Sequence, residues 1–397
     1  MLKSIRVILV IIIFFIATIA WNILGFSTSY RGSKSTKELR RSVKSLCGEE
    51  LTQYEPKFII NKDYSKSKIK SKEEYLKPIS NTINVDFKLK HRKKGLIWFP
   101  VYDCTFTGKY ALHNNTKNNQ KITLDFLYPA SKATYNDFLI KVDDKEMPLN
   151  IDFSKSLKIP FELAANSKKT VTIFYKMRGT NQWSYLPNKF VNNLDMTINT
   201  DFEKIDFSQG TISPSTLQKS ATGCVANWKS KTLISDYGFG IVMPNKLNPG
   251  EIVPRITYFA PVCLLFFFVI LATITILRKI DIHPMHYLFT AAGFFAFNLL
   301  FAYLVDLINI HIAFGISALV TLLLVNLYLK GALKGNFPIV MVFLAQLVYL
   351  ILFSYSFFFK GITGLSVAIV SVITLAILMR LTINVNWSTV FIKGSKQ

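Results

Sequence analysis

Long apolar runs at the two ends of this chain constrain its fold more than any other feature. Residues 7–26 form one run of about 20 residues, which at about 1.5 Å per helical residue matches the roughly 30 Å hydrocarbon core of a bilayer. Five further runs lie near 256–277, 287–307, 312–329, 338–359 and 362–381. A water-soluble bundle would need polar outer faces on these helices, and such faces are missing. The sequence therefore predicts a membrane α-helical protein with six transmembrane helices, one N-terminal and five C-terminal.

The first apolar run also has features of a secretory signal peptide. Lys3 and Arg6 precede it, and a small-residue cleavage site ends at Ala20. The apolar stretch continues to Phe26, however, which exceeds the roughly 7–15 residues of a signal peptide's apolar region. We therefore favour an uncleaved signal anchor over residues 1–26.

Lysine and arginine in the short loops predict the orientation, because these residues concentrate on the cytoplasmic side. With a cytoplasmic N-terminus, Arg255 and Lys360 are the basic residues beside the spans on the outside. The inside then carries Lys3, Arg6, Arg278, Lys279, Lys330, Lys334, Arg380, Lys393 and Lys396. We therefore expect both termini in the cytoplasm, residues 27–254 outside, a five-helix bundle over 255–387 and a cytoplasmic tail over 388–397.

The segment between the spans, 27–254, shows apolar residues that alternate with polar ones. The alternating sets are Val85, Phe87 and Leu89; Ile122, Leu124 and Phe126; Val171, Ile173 and Tyr175; and Leu194, Met196 and Ile198. A period of two indicates half-buried strands. Strands without long intervening helices predict an inserted extracytoplasmic, mainly-β domain with an antiparallel, sandwich-like fold.

Three local patterns interrupt these strands. Asp143-Asp144 separates two apolar stretches, 138–142 and 147–153, and predicts a hairpin. Residues spaced at helical intervals over 39–47 predict a short helix capped at Ser35 or Thr36. The polar stretch 61–77 predicts a loop.

The predicted outer domain is basic, with 36 lysines and arginines against 22 acidic residues in 27–254. Such a surface would attract anionic lipid head groups or acidic envelope polymers. A solvated basic surface without a specific partner is the simpler and favoured explanation. No basic cluster is interleaved with aromatic residues as a nucleic-acid groove requires, so no nucleic-acid partner is expected. The expected partners are the lipid bilayer and anionic envelope components or envelope proteins, and the oligomeric state stays open.

The four cysteines say little about the fold or function of the chain. Cys263 lies in a predicted span, which leaves Cys47, Cys104 and Cys224 in the outer domain. A disulfide framework needs an even number, so at most one bridge is expected, and Cys104 with Cys224 is the pair we select.

Motifs for catalysis are missing from the sequence. It contains no zincin helix, P-loop, Rossmann glycine pattern or nucleophile elbow, so no catalytic residue, cofactor or metal ion is predicted. His283 and His286 could form a metal pair only with Asp281, which is a poor ligand set. An envelope-modifying enzyme would have to use Asp103, His113 or this histidine pair, and that hypothesis ranks low.

Ionisable residues near the spans offer a second hypothesis, a transporter or channel. Asp306, His311 and Lys360 lie at the outer ends of neighbouring spans and could form a polar cluster. The favoured alternative is that all three reach the membrane interface, where charge costs less. Isolated polar residues inside the spans, namely Asn298, Asn326 and Gln346, more often join helices than line a pore.

Three stretches carry a recognisable pattern. They are Gly95 followed by Pro100-Val101-Tyr102; His283-Pro284-Met285-His286-Tyr287 followed by Asp306; and the end of the last span, 378–387, closing in Trp387. These stretches resemble the CreD family of inner-membrane proteins, also described as cell envelope integrity proteins. The family's acidic pair at the last span is Lys360-Gly361 here, His286 replaces a glutamine, and Asn386 replaces an aspartate. The resemblance is therefore to a divergent member.

The resemblance implies a bacterial inner-membrane protein that supports envelope integrity. The family is associated with colicin tolerance and envelope stress, and with no established reaction. We therefore expect a non-catalytic binding, scaffold or sensing role through the extracytoplasmic domain.

Overall fold

The computed structural model describes residues 3–61, 74–95, 97–130, 133–149, 156–278, 280–333, 338–359, 361 and 363–383. Lys360, Trp387, most of the predicted loop (62–73) and the end of the predicted hairpin (150–153) lie outside these residues. The chain forms two compact units. The membrane unit comprises Met1–Glu38, Gly95–Ile97 and Leu247–Gln397, and the β unit comprises Leu39–Lys94 and Trp98–Lys246.

The prediction of six membrane helices is confirmed. Within the described residues, six helices are long and apolar enough to cross a membrane. They are α1 (Lys3–Cys47), α2 (Pro249–Leu277), α3 (Pro284–Leu304), α4 (Ile310–Ala332), α5 (Ile339–Phe358) and α6 (Thr363–Thr382). Their outward faces carry leucine, isoleucine, valine and phenylalanine. Such faces are suited to lipid, because lipid tails solvate apolar side chains.

Helix α1 is longer than the sequence predicts. The separate helix with a cap at Ser35 or Thr36 is wrong, because α1 continues through both residues to Cys47. No proline interrupts this stretch, and its lysines, arginines and leucine favour helix. The helix ends where Gly48 adopts a left-handed φ of 95°, which glycine tolerates best.

Close backbone contacts hold the membrane unit together. A β-carbon on Gly32 of α1 would lie 3.0 Å from the Cα of Gly250, at the start of α2. One on Gly293 of α3 would lie 2.4 Å from a methyl group of Val325 on α4. Small residues at such contacts let helices approach closely, which is the main source of packing energy inside a bilayer.

Two ion pairs mark opposite ends of the membrane unit. Arg6, near the start of α1, pairs with Asp281 in the α2–α3 loop. Arg31, 25 residues further along α1, pairs with Asp306 at 3.7 Å, beyond the end of α3. At about 1.5 Å per residue this separation is roughly 38 Å, comparable to a bilayer. The N-terminus and the α2–α3 loop therefore share one end of the unit.

The β unit consists of fifteen described strands. They are β1 (Leu51–Tyr54), β2 (Lys57–Asn61), β3 (Ser80–Lys94), β4 (Ile97–His113), β5 (Gln120–Phe126), β6 (Tyr135–Val142), β7 (Lys145–Glu146), β8 (Leu157–Leu163), β9 (Lys168–Thr180), β10 (Gln182–Leu186), β11 (Phe190–Thr200), β12 (Asp206–Phe207), β13 (Thr216–Ser220), β14 (Gly223–Ile234) and β15 (Phe239–Val242). All four alternating sets fall on strands. A hairpin turns at Asp143-Asp144 as predicted, but its second strand is β7 (Lys145–Glu146), and residues 147–149 of the predicted second strand are not in a strand.

Three sheets enclose one hydrophobic core. Their strand orders are β13-β14-β11-β3-β4-β9-β6-β7, β1-β10-β15-β12 and β2-β5-β8. Aromatic contacts join the sheets across the core: Phe87 meets Trp183 at 5.5 Å between ring centroids, and Phe58 meets Tyr110 at 6.2 Å. The mainly-β, sandwich-like prediction is confirmed, with one difference. Two pairs, β3–β11 and β1–β10, are parallel.

The Cys104–Cys224 disulfide is wrong. All four cysteines are free and buried. Cys104 lies on β4 and Cys224 on β14, and β3 and β11 separate these strands in the large sheet. Three strand spacings amount to roughly 14 Å, whereas a disulfide needs Cα atoms within about 7 Å.

Candidate functional site

A buried acidic residue distinguishes one end of the β unit. Glu55 lies in the two-residue link between β1 and β2, and only 5 % of its surface is exposed. Pro56 follows it and disfavours the helical conformation at Glu55. The Glu55 N–H donates to the Leu186 carbonyl at 2.9 Å and so extends the parallel β1–β10 pairing. The local sequence thus directs this carboxyl group into the protein.

The environment of Glu55 favours its protonated form. Burial raises the pKa of its carboxyl group to about 7, although the N–H of Asn188 donates to Oε2 at 2.7 Å and acts in the opposite direction. Burial above all raises the pKa values of Tyr110 and Tyr185; Glu55 adds to the rise at both, after Tyr110 in the case of Tyr185. Their hydroxyl groups lie 3.4 Å apart in the adjacent core. Glu55 is therefore a buried acid that titrates close to neutral pH.

A cleft of about 450 Å³ opens beside this carboxyl group. Its lining is Glu55, Pro56, Lys57, Phe58, Tyr75, Leu76, Lys77, Pro78, Asn188, Lys189 and Phe190. The apolar members form the interior, while the lysines are exposed. Lys77 places its ammonium group 4.6 Å from the centre of the Phe190 ring, and Lys57 lies 5.8 Å from that of Tyr75. Such a concave, mostly apolar cleft with few polar groups is typical of ligand sites.

Sequence reasoning missed Glu55, although a signal was present. Leu51, Gln53 and Glu55 alternate inward, so two polar residues occupy the buried face of one short strand and its extension. Gln53 is satisfied by the Tyr175 hydroxyl group, which donates to it at 2.7 Å. This pattern can be interpreted only when the burial of the strand is known, because an acidic residue at every second position of an exposed strand gives the same sequence pattern.

The family-motif residues of the β unit serve its core. Tyr102 is fully buried, donates from its hydroxyl group to the Gln182 carbonyl at 2.7 Å, and meets Phe87 edge to face at 5.3 Å. Val101 is buried beside it and pairs with Thr180 of β9, while the Pro100 carbonyl accepts from a neighbouring N–H. Gly95, the motif residue that belongs to the membrane unit, has a φ of 58° between β3 and β4. These residues therefore have structural roles.

Replacement of Tyr102 by phenylalanine tests this assignment. We expect Y102F to destabilise the β unit by about 1–2 kcal/mol, because the buried Gln182 carbonyl loses its donor. Tyr237, of which 63 % is exposed, provides the matched control Y237F, which should change stability by less than about 0.5 kcal/mol. Urea unfolding of the full chain in mild detergent is the measurement. Equal stability of both variants would contradict a structural role for the Tyr102 hydroxyl group.

The membrane motif organises the start of α3. His283 caps the helix, with Nδ1 accepting from the Met285 N–H, and Pro284 occupies the first turn. His286 Nδ1 lies 2.8 Å from the Tyr328 hydroxyl group on α4, and Tyr287 packs edge to face on Phe268 of α2. The two histidines therefore have separate structural partners.

The three members of the predicted polar cluster have different surroundings. Asp306 pairs with Arg31, which also lies 4.9 Å from the Tyr303 ring centre. His311 packs against Phe358 at 5.0 Å between ring centroids. Lys360 lies outside the described residues, so the cluster remains a prediction.

Of the three polar residues predicted to join helices inside the bundle, Asn326 and Gln346 do so and Asn298 does not. The Asn326 amide on α4 donates to Gln346 Oε1 on α5 at 2.7 Å, and Gln346 donates back to the Thr321 carbonyl at 3.1 Å. Asn298 donates within its own helix, to the Phe294 carbonyl.

The residues considered for catalysis are not brought together. Asp103 and His113 lie ten residues apart on β4, which corresponds to roughly 33 Å. Asp103 accepts from Lys90 at 2.7 Å and from Arg178 at 2.8 Å. Burial disfavours its charge, but these hydrogen bonds outweigh burial and lower its pKa. In the described part of the chain, no three histidine, cysteine or acidic side chains form a group that could hold a metal ion.

Among the described residues, six helices of membrane length and a β unit inserted after the first of them define a multi-pass membrane protein with a folded inter-span domain. The sequence pattern of the family described as inner membrane protein CreD matches residues 3–388. The chain therefore belongs to the CreD family. No curated protein sequence matches it.

Two of the solved structures that resemble this chain show how distant the likeness is. A candidate nutrient binding protein from Legionella pneumophila is 10 % identical with a TM-score of 0.32, and the match covers 55 % of this chain and 76 % of that one. An M1 zinc metallopeptidase mutant from Deinococcus radiodurans is 7 % identical with a TM-score of 0.27 and 42 % coverage of both chains. Similarities at this level carry no argument about function.

Proposed function

We propose that this protein supports cell envelope integrity in the bacterial inner membrane as a non-catalytic binding or sensing protein. The observation that carries the proposal is the cleft beside Glu55, a concave apolar site with a lysine rim on the β unit. The membrane unit anchors this site at the bilayer. Tolerance of envelope stress, including colicins, is the expected cellular role.

The chemistry of the cleft supports a ligand with an apolar part and an anionic group. Phe58, Leu76 and Phe190 would contact the apolar part, and Lys57 and Lys77 at the rim would attract the anion. A protonated Glu55 favours such a ligand, whereas an ionised Glu55 repels it. Envelope lipids, polymers and modified peptides fall within this class.

The cleft can be tested in cells that lack the endogenous protein. We expect the variant L76E to abolish tolerance of detergent or colicin, because a carboxylate inside the cleft excludes an amphipathic anion. Leu217 on β13, of which 38 % is exposed, provides the matched control L217E, which should retain tolerance. Immunoblots must show equal amounts of both variants in the membrane. Full tolerance in cells with L76E would refute a binding role for this cleft.

We propose further that both termini lie in the cytoplasm and that the β unit is extracytoplasmic. The lysine and arginine distribution supports this orientation, and the Arg6–Asp281 pair agrees with a shared end for the N-terminus and the α2–α3 loop.

Thiol labelling of intact cells checks the orientation. In a background without cysteines, after permeabilisation of any outer membrane, an impermeant reagent should label K77C in the β unit and spare D281C. Labelling of D281C with K77C protected would reverse the orientation. Labelling of both before lysis would mean that the number of spans is wrong.

A further inference from the structure

Basic residues stand wherever the chain leaves the β unit for the membrane unit. The chain changes unit after Glu38, on both sides of Gly95–Ile97 and after Lys246. Within six residues of these points, Lys44 pairs with Glu50 at 3.2 Å, and the β unit carries six further lysines and arginines without a carboxylate partner in the described ion pairs: Arg40, Arg41, Arg92, Lys93, Lys94 and Lys246. We call these residues, together with Trp98, the basic collar. Lys90 and Asp103 are equally near and neutralise each other in an ion pair.

Hydrogen bonds within the β unit bring the parts of the basic collar together. Arg92 donates to the Cys47 sulfur at 3.2 Å, and Lys94 contacts the Ser42 hydroxyl group, so the end of β3 meets the end of α1. The His91 Nε2 lies 2.9 Å from the Pro244 carbonyl, which fixes the segment that leads to α2. Charges far apart in sequence therefore occupy one surface.

Trp98, the first residue of the β unit after Gly95–Ile97, has two ammonium groups near its ring. Lys246 Nζ lies 4.4 Å and Lys93 Nζ lies 5.8 Å from the centre of the Trp98 ring. Both ammonium groups approach the indole, and among the ion pairs of the described residues neither Lys93 nor Lys246 has a carboxylate partner. Two like charges on one ring repel each other, and an anion between them would remove that repulsion.

We propose that the basic collar binds the phosphate group of anionic phospholipids, with Lys93 and Lys246 on either side of the phosphate beside Trp98. Lys246 precedes α2 by three residues, a reach of at most about 10 Å. Tryptophan favours the head-group region of a bilayer, and clusters of lysine and arginine next to a span attract anionic lipids. The surrounding bilayer supplies this ligand at high local concentration. The basic collar shares no residue with the cleft beside Glu55, so the two proposals can fail independently.

Lipid retention by the full chain tests the proposal. The protein is incorporated into nanodiscs with equal amounts of phosphatidylglycerol and phosphatidylcholine, released into the gas phase, and analysed by native mass spectrometry. We expect K93Q/K246Q to lower the ratio of retained phosphatidylglycerol to phosphatidylcholine on the order of tenfold, because two charges next to the membrane are lost. The exposed pair Lys109 and Lys145 gives the matched control K109Q/K145Q, which should keep the wild-type ratio. Circular dichroism confirms that each variant is folded.

Two outcomes would overturn the proposal. One is an unchanged lipid ratio in folded K93Q/K246Q. The other is displacement of the retained phosphatidylglycerol by soluble polyphosphate at equal phosphate concentration, which would reassign the basic collar to a soluble polyanion. Retention in wild type, loss in K93Q/K246Q and resistance to polyphosphate together support the lipid assignment.

Discussion

Replacement of Glu55 by glutamine is expected to stabilise the β unit by about 3 kcal/mol at pH 8.5 and to change little at pH 4.5. Burial raises the pKa of the folded carboxyl group from its ordinary value of 4.5 to about 7. Between these pH values the folded protein holds a proton that the unfolded chain has released. Wild-type stability is therefore highest below pH 4.5 and falls as pH rises through 7. A difference of about 2.5 pKa units corresponds to roughly 3 kcal/mol.

Urea unfolding of the full chain in mild detergent, followed by near-ultraviolet circular dichroism, measures this effect. The free energy of unfolding of E55Q should be nearly independent of pH over the range in which the wild type loses stability. Glu162, an exposed residue on β8, gives the control E162Q, which should follow the wild-type pH profile. If E55Q and wild type lose stability in parallel from pH 5 to 8.5, Glu55 is not the titrating group.

This pH dependence bears on the proposed function. Ionisation of Glu55 near neutral pH would place a negative charge in the cleft and weaken binding of an anionic ligand. A sensor with this acid would release such a ligand as the pH outside the membrane rises. L76E and E55Q therefore separate two properties of the same cleft: occupancy by the ligand and its dependence on pH.

Replacement of Gly293 by leucine should destabilise the membrane unit by about 2–3 kcal/mol or more. A β-carbon at this position would lie 2.4 Å from a methyl group of Val325, which is 1 % exposed, so α3 and α4 must separate. Overpacking of this kind costs about 1–3 kcal/mol even where the surroundings can move. A leucine side chain is larger than a single added methyl group, so we expect a destabilisation at the upper end of this range.

The same helix pair provides a control and a rescue. Gly315 on α4 has no heavy atom within 4 Å of an added β-carbon, so G315L should retain wild-type thermal stability in detergent. The smaller change G293A should be destabilising alone and partly restored by V325A, because that second change removes the clashing methyl groups. Thermal unfolding followed by size-exclusion chromatography gives the melting temperatures. A stable G293L, or a G293A that V325A does not improve, would contradict the packing described for α3 and α4.

The two units differ in how far their sequences predict them. An apolar run of bilayer length has few alternatives to a membrane helix, because every backbone polar group in lipid must be satisfied within the segment. The ends of the predicted spans therefore agree with those of α1 to α6 within a few residues, except that α1 ends later and α2 begins earlier than predicted. In the β unit, alternation located β3, β5, β6, β9 and β11, but not their partners. The parallel pairing of β3 with β11 joins residues more than 100 positions apart, and no local pattern encodes it.

The motif residues show the same division. Pro284 directly after His283 is a local signal for the start of a helix, and α3 begins there. The contact of His286 with Tyr328 depends on the packing of α3 against α4 and could not be read from either residue. The disulfide prediction failed for this reason, since spacing along the chain says nothing about strand order.

The six membrane helices, the positions of five strands and the family could be predicted from the amino-acid sequence, because each depends on residue type at short range. Tertiary structure alone decided that Glu55 is buried, that its carboxyl group meets the N–H of Asn188, 133 residues away, and that a cleft opens beside it. It also decided that Lys93 and Lys246 meet on Trp98. Burial and long-range contacts set the energies of these polar groups, and both are properties of the folded chain.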